Sequence, residues 1–254
     1  MSEAAAELLA LVEDAGRDVF LAFLRVGGVM LLLPGLGDRM IPARVRLAAA
    51  LSLAVAVAFA RPVPEGAASL PLLILRESLI GVALGAAVRM AAQAMTIAGA
   101  IAAQATSLSH LFGGAGGEAS SAFGRVLEMA GLAALMAAGL PLWVLDMVLR
   151  SYDVLPVTDW PAGADLALWS IARMGAAFAL AFALAAPFVL ASVLYNAALG
   201  VLNRAMPQLM VALVGAPLIT GLSLAMLALG APLMIEVWAG SVRAVLADPV
   251  AGLP

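Results

Sequence analysis

Apolar residues run along this chain in blocks far longer than a soluble core requires, parted by short stretches rich in Pro, Gly and charge. Six blocks, at about residues 19–33, 45–60, 70–109, 125–150, 166–202 and 208–243, predict six apolar helices. The third and fifth are longer than the roughly 20 residues that cross a hydrocarbon core, so they must tilt, break or project beyond the lipid. Pro34 and Pro42 bracket the first connection, while Pro187, Pro207 and Pro217 fall in or beside the last two blocks. No hydrophilic stretch is long enough for a soluble module. The expected fold is therefore an all-α integral membrane protein with residues 1–254 as one embedded domain.

Composition sharpens this. Hydrophobic residues fill 65% of 254 positions and charged residues 11%, with a mean hydropathy of +1.10, outside the range of a soluble domain. All 13 basic residues are Arg and the net charge is -3, so nothing resembles the basic footprint of a nucleic-acid binder. Without Cys, disulfides and thiolate metal sites are excluded, and one His cannot build a histidine cluster. No cofactor is expected. Glu3, Glu7, Glu13 and Asp14 precede the first apolar block, the opposite of a basic secretory leader, so no cleaved signal is predicted. Arg39, Arg44 and Arg46 crowd the first connection, whereas residues 151–165 carry Asp153, Asp159 and Asp165. The positive-inside rule then puts the first connection in the cytoplasm and both termini outside.

Several charges fall where lipid does not tolerate them: Arg25, Arg76, Glu77, Arg89, Arg125, Glu128, Asp146, Arg150, Arg173 and Glu236. Each costs about 2.5–3.5 kcal/mol at a helix centre on insertion scales. Asp146 with Arg150, and Arg125 with Glu128, have the spacing to pair on one helix face. Glu77 has no such neighbour, because Arg76 points about 100° away around the helix; its partner lies on another helix, with Arg25 a candidate. A proton or ion relay through Glu77 and Arg89 is the functional alternative, but a lone acid without further carboxylates or histidines favours packing or assembly. Gly81 and Gly85 have the GxxxG spacing that lets helices approach closely, a pattern an alanine-rich chain also yields by chance.

Two blocks carry most of the specificity. The first, FLRVGGVMLLLPGLGDRMIPARVRLAAA, puts Arg25 in the first helix, Pro34 at its end, and Pro42 with Arg44 and Arg46 at the start of the second. The second runs PFVLASVLYNAALGVLNRAMPQLMVALVGAPLITGL from Pro187. Asn196, Gly200 and Arg204, spaced by four, form a stripe drifting about 40° per step on one helix face. Pro207 removes a backbone donor, and Arg204 and Gln208 stand near the carbonyls this leaves. An ordinary polar turn explains Arg204 and Pro207 separately, but not the joint pattern N-x3-G-x3-R-x2-P-Q followed by Gly215 and Pro217.

That pattern, with Arg25, Pro34, Pro42, Glu77, Gly81 and Gly85, resembles the FliR family of flagellar (type III) protein export, over nearly the whole chain. There are departures. Met210 stands where a small polar residue is frequent, Ala212 where an aromatic is usual, Ala138-Gly139-Leu140 replaces Asn-Gly-His, and the loop after the third helix lacks an Asp-Pro. The resemblance implies a subunit of helical hairpins in a hetero-oligomeric export gate, with FliP-like and FliQ-like chains and a nearby FlhB-like subunit, in the bacterial inner membrane at the flagellar basal body. Unfolded proteins would be its cargo and lipid its surroundings.

In that family the loop after the third helix plugs the closed pore, and here it spans about residues 107–123. Gly113, Gly114, Gly116 and Gly117 give a backbone that can enter and leave a narrow space, and Leu108, Leu111 and Phe112 supply water-excluding bulk. A plain surface loop explains the glycines but leaves Leu111 and Phe112 without purpose. His110 titrates near neutral pH and could sensitise a gate, though an ordinary polar loop residue is the simpler reading. A homologous injectisome subunit is the near alternative. A solute transporter built on broken helices is the second, and it requires inverted repeats that are not visible. Tyr195, Ser192 and His110 form no catalytic constellation, so no enzyme activity is expected.

Overall fold

The computed structural model describes residues 3–37, 41–63, 69–105, 119–157, 163–205 and 211–252. All the regular structure among them is helical: α1 Glu3–Leu32, α2 Ala43–Ala60, α3 Leu70–Ala105, α4 Ala119–Ala137, α5 Leu140–Val154, α6 Gly163–Ala205 and α7 Val211–Ala247. At 1.5 Å per residue the 36 residues of α3, 43 of α6 and 37 of α7 extend roughly 54–65 Å, about twice a 30 Å hydrocarbon core.

Two expectations change. The first helix begins at Glu3, not near residue 19, because its acidic opening continues the same helix without a break. The block at 125–150 is two helices bent by 75°. Gly139, with φ +100°, is a left-handed residue at the α5 N-terminus, and Pro141 in the first turn of α5 has no amide to continue the α4 ladder. Pro187, by contrast, is accommodated inside α6. Among the described residues four helices, α2, α3, α6 and α7, are long and apolar enough to cross a membrane, or five spans if the bent pair α4–α5 is one. The six expected spans reduce to that number: α1 mixes Glu13, Asp14, Arg17, Asp18 and Arg25 into its apolar run, and α4–α5 divides one block.

The chain separates into two compact units. One comprises residues 1–90, 136–173 and 242–254, and the other residues 91–135 and 174–241. In the first, α1 packs along α2, and Leu21, Leu73 and Val157 form a buried cluster flanked by Leu24, Ile74 and Tyr152. Glycine governs the approach of α1 to α3. A Cβ on Gly28 would lie 2.7 Å from the Val82 amide nitrogen, one on Gly85 would lie 2.9 Å from the Val29 carbonyl oxygen, and one on Gly81 would overlap the Arg25 carbonyl. The Gly81/Gly85 pair seen in the sequence is thus a backbone contact surface, with Gly28 opposing it.

The second unit is organised around Trp238 of α7, which is fully buried. Its indole N–H lies 3.2 and 3.1 Å from the carbonyls of Ala91 and Ala92, and its ring lies over Gly131 of α4. Gly124 brings α4 against the backbone of Thr96. The Thr96 hydroxyl donates at 2.6 Å to Glu128, a partner for that carboxylate that spacing along one helix could not suggest.

Candidate functional site

Arg25 and Glu77 are both fully buried in the first unit, and they meet as a fork. Arg25 Nε donates to Glu77 Oε2 at 2.8 Å and Nη2 to Oε1 at 2.7 Å, the two-point geometry that distinguishes guanidinium from ammonium. Nη1 reaches the Ser151 hydroxyl at 3.0 Å and Nη2 the Leu155 carbonyl at 3.0 Å. Tyr152 closes the cluster: its hydroxyl donates to Glu77 Oε2 at 3.0 Å and its ring lies 3.6 Å from Arg25 Cζ. The partner that Glu77 lacks along α3 is therefore Arg25, as the sequence suggested.

The elements explain the placement. Close backbone contact at Gly28, Gly81 and Gly85 brings α1 and α3 near enough for the fork to form. Leu155 follows the last residue of α5, where a helix leaves carbonyls without intrahelical donors and carries partial negative charge. Arg25 supplies a donor there, and Arg76 extends to the Val157 carbonyl at 3.4 Å. Arg89 does the same at the end of α1, 3.5 Å from the Leu32 carbonyl. Paired and hydrogen-bonded on all sides, Glu77 has the environment of a structural clamp, and the relay through Glu77 and Arg89 finds no support in this arrangement. Arg150 and Asp146 pair at 2.9 Å on an exposed face, as their spacing requires.

Sequence reasoning missed Ser151, Tyr152 and Leu155. A Ser-Tyr pair at the close of an apolar helix, in a chain with only two tyrosines, was the available signal. Near the first connection, Pro34 is buried just past α1 and Pro42 precedes the first turn of α2. Arg46 donates to the Gly37 carbonyl at 3.1 Å.

The α6 stripe has a different character. Asn196, Gly200 and Arg204 are all exposed, and a Cβ on Gly200 would meet nothing within 4 Å. Asn196 Nδ2 donates to the Ser192 carbonyl at 2.8 Å, and the Ser192 hydroxyl donates to the Ala105 carbonyl. Leu190, Val193, Leu194 and Val201 are exposed along the same stretch, Leu194 by 72%. On α7, Glu236 is exposed inside a membrane-length apolar helix. Gly215 and Pro217 lie in α7. Pro207 and Gln208 fall outside the described residues, as do Leu108, His110, Leu111, Phe112, Gly113, Gly114, Gly116 and Gly117 of the proposed plug.

Comparison with known proteins places these features in a lineage. Residues 17–245 match the family model described as bacterial export proteins, family 1. The flagellar biosynthetic protein FliR of Caulobacter vibrioides is 32% identical over 233 residues, which cover 89% of this chain and 93% of that protein. FliR of Escherichia coli is 28% identical over 244 residues, with 92% and 93% covered. FliR of Bacillus subtilis is 29% identical over 216 residues, with 82% and 83% covered.

Proposed function

Since this chain belongs to the bacterial export proteins of family 1 and is a FliR-type export-gate subunit, we propose that it works in the bacterial inner membrane at the flagellar basal body, joined to FliP-like and FliQ-like chains with a FlhB-like subunit alongside. Unfolded flagellar proteins are its cargo, and its role is to form and close their path without catalysing a reaction. The flagellar names of its relatives favour this system over an injectisome.

One observation carries the assembly reading. The stripe Asn196, Gly200 and Arg204 faces outward, and the open space over Gly200 is a notch that no described residue of this chain fills. A polar, notched stripe among exposed leucines and valines suits a neighbouring helix, where small residues allow close packing and amides pair across the interface. Lipid would leave Arg204 and Glu236 poorly solvated; protein neighbours or a water-lined path would not.

Affinity purification from the native membrane tests this. FliP-like and FliQ-like chains should elute with the tagged protein, and deletion of its gene should abolish motility with complementation by the intact gene. Recovery of the protein alone, with motility unaffected by deletion, would overturn the reading. The plug role of residues 107–123 rests on the family resemblance together with Leu108, Leu111, Phe112 and the four glycines.

A further inference from the structure

Between α1 and α2 runs an open groove of about 220 Å³, walled by Phe23, Gly27, Met30 and Leu31 on one side and by Arg46 and Leu47 on the other. Its lining is apolar except for Arg46. Phe23 and Leu31 are eight helical steps apart, so the α1 wall is roughly 12 Å long, and a Cβ on Gly27 would meet nothing within 4 Å, so the channel is open at its middle.

Arg46 is the chemically unspent group. It is half-buried, its Nη1 is held by the Gly37 carbonyl, and its Nε has no hydrogen-bond partner among the described residues. No described carboxylate pairs with it either. A guanidinium at the end of a membrane-length helix needs an anion, and no described residue supplies one to Arg46. The surrounding potential adds to that demand. Arg44 is exposed in the same turn, and Pro42 gives the α2 N-terminus no side-chain cap, leaving partial positive charge at that end.

We propose that this groove seats one acyl chain of an anionic phospholipid, with the lipid phosphate paired to Arg46. The apolar walls accept the chain, and the arginine takes the charge that must accompany it. Phosphate suits a guanidinium, which can offer two parallel donors to one anion. The lipid would fill the wedge between α1 and α2 and fix the first connection, to which Arg46 is already tied through Gly37.

The test uses the full-length chain with whatever subunits purify with it, reconstituted in nanodiscs of equal phosphatidylglycerol and phosphatidylcholine. Lipid retained after release is identified by native mass spectrometry. The wild type should keep one phosphatidylglycerol over phosphatidylcholine by about tenfold or more, as expected for a charge-assisted contact. Arg46→Gln should erase that preference and Arg46→Lys should preserve most of it. Gly27→Phe, which fills open space, should expel lipid of either headgroup while gel-filtration and circular-dichroism profiles stay unchanged. Equal retention of the two lipids by the wild type, or unchanged phosphatidylglycerol in both Arg46→Gln and Gly27→Phe, would overturn the proposal. So would a photo-crosslinker at position 27 that captures a neighbouring subunit and not lipid.

Discussion

At Arg25 the question is what one guanidinium must accomplish in an apolar interior. It engages Glu77 twice, Ser151, the Leu155 carbonyl and the Tyr152 ring, so almost all its hydrogen-bonding capacity is used. Removing one partner leaves the other as an unpaired buried charge, a loss of about 3–5 kcal/mol. Glu77→Leu and Arg25→Leu should each lower the thermal midpoint of the detergent-solubilised protein sharply, and the double variant should fall by less than the sum of the two. Strict additivity would mean that the fork contributes nothing specific. Ser151, Tyr152 and Leu155 lie at the end of a helix some 75 residues beyond Glu77, so the Ser-Tyr pair was visible in the sequence but nothing local tied it to Glu77. Glu77 was legible because a carboxylate stranded at the centre of an apolar block demands a partner somewhere.

Glycines separate into two kinds at the same scale. Gly81 faces backbone, which cannot move aside as a flexible side chain would. Gly81→Ala should therefore destabilise the isolated chain by about 1–3 kcal/mol, as overpacking does. Gly200→Ala meets open space within a helix interior and should raise intrinsic stability by roughly 0.5–1 kcal/mol. Its expected damage is to co-purification of FliP-like and FliQ-like chains. Thermal unfolding of the solubilised chain beside a pull-down from membranes separates these outcomes, and loss of stability in Gly200→Ala would place the notch inside the subunit.

Among the elements, the bend between α4 and α5 was the feature least visible beforehand. Hydropathy averages over a window, and the run through Ala138-Gly139-Leu140 stays apolar, so periodicity had no reason to stop. What stops it is conformational: Gly139 turns left-handed and Pro141 cannot donate to the preceding turn. Gly139→Ala forces a Cβ into that left-handed geometry at a cost of about 1–2 kcal/mol. A lower melting midpoint with an unaltered helical circular-dichroism signal is the expected result. Long helices were easier to read. Blocks at 70–109 and 166–202 became α3 and α6 within a few residues, because sustained apolar length is a strong signal where lipid is the solvent. Similarly, the exposed Arg61–Asp153 pair, 2.7 Å apart, lies at segment ends where sequence offers no register, and pairs of that kind are worth only about 0–1 kcal/mol.

Over the whole molecule, exposed apolar and charged surface occur together. Leu229 is 84% exposed and Phe59 83% exposed, as a lipid-facing or subunit-facing surface permits, while Glu236 is exposed on the same helix as Leu229 and Arg204 is exposed near the end of α6. The gate reading makes one further prediction. Deleting Gly113–Gly117 should let small ions leak through the assembled membrane complex, measured as slowed growth in high salt or as conductance in planar bilayers. Normal permeability together with normal secretion would remove the plug role from that loop. The family assignment was legible because the stripe around Asn196, Gly200 and Arg204 and the proline steps are local in sequence. The internal clamp was only half legible, since its other half, Ser151, Tyr152 and Leu155, lies at the end of α5, far along the chain from both Arg25 and Glu77.

The clamp also orders events during synthesis. Arg25 leaves the ribosome 52 residues ahead of Glu77, an interval of roughly 3–10 s at ordinary translation rates, and the serine and tyrosine that complete the cage follow later still. For that interval the first helix carries a cation whose carboxylate partner has not yet been made. Burial of this cation therefore has to wait for the third segment: α1 cannot take up its final packing before α3 has been made.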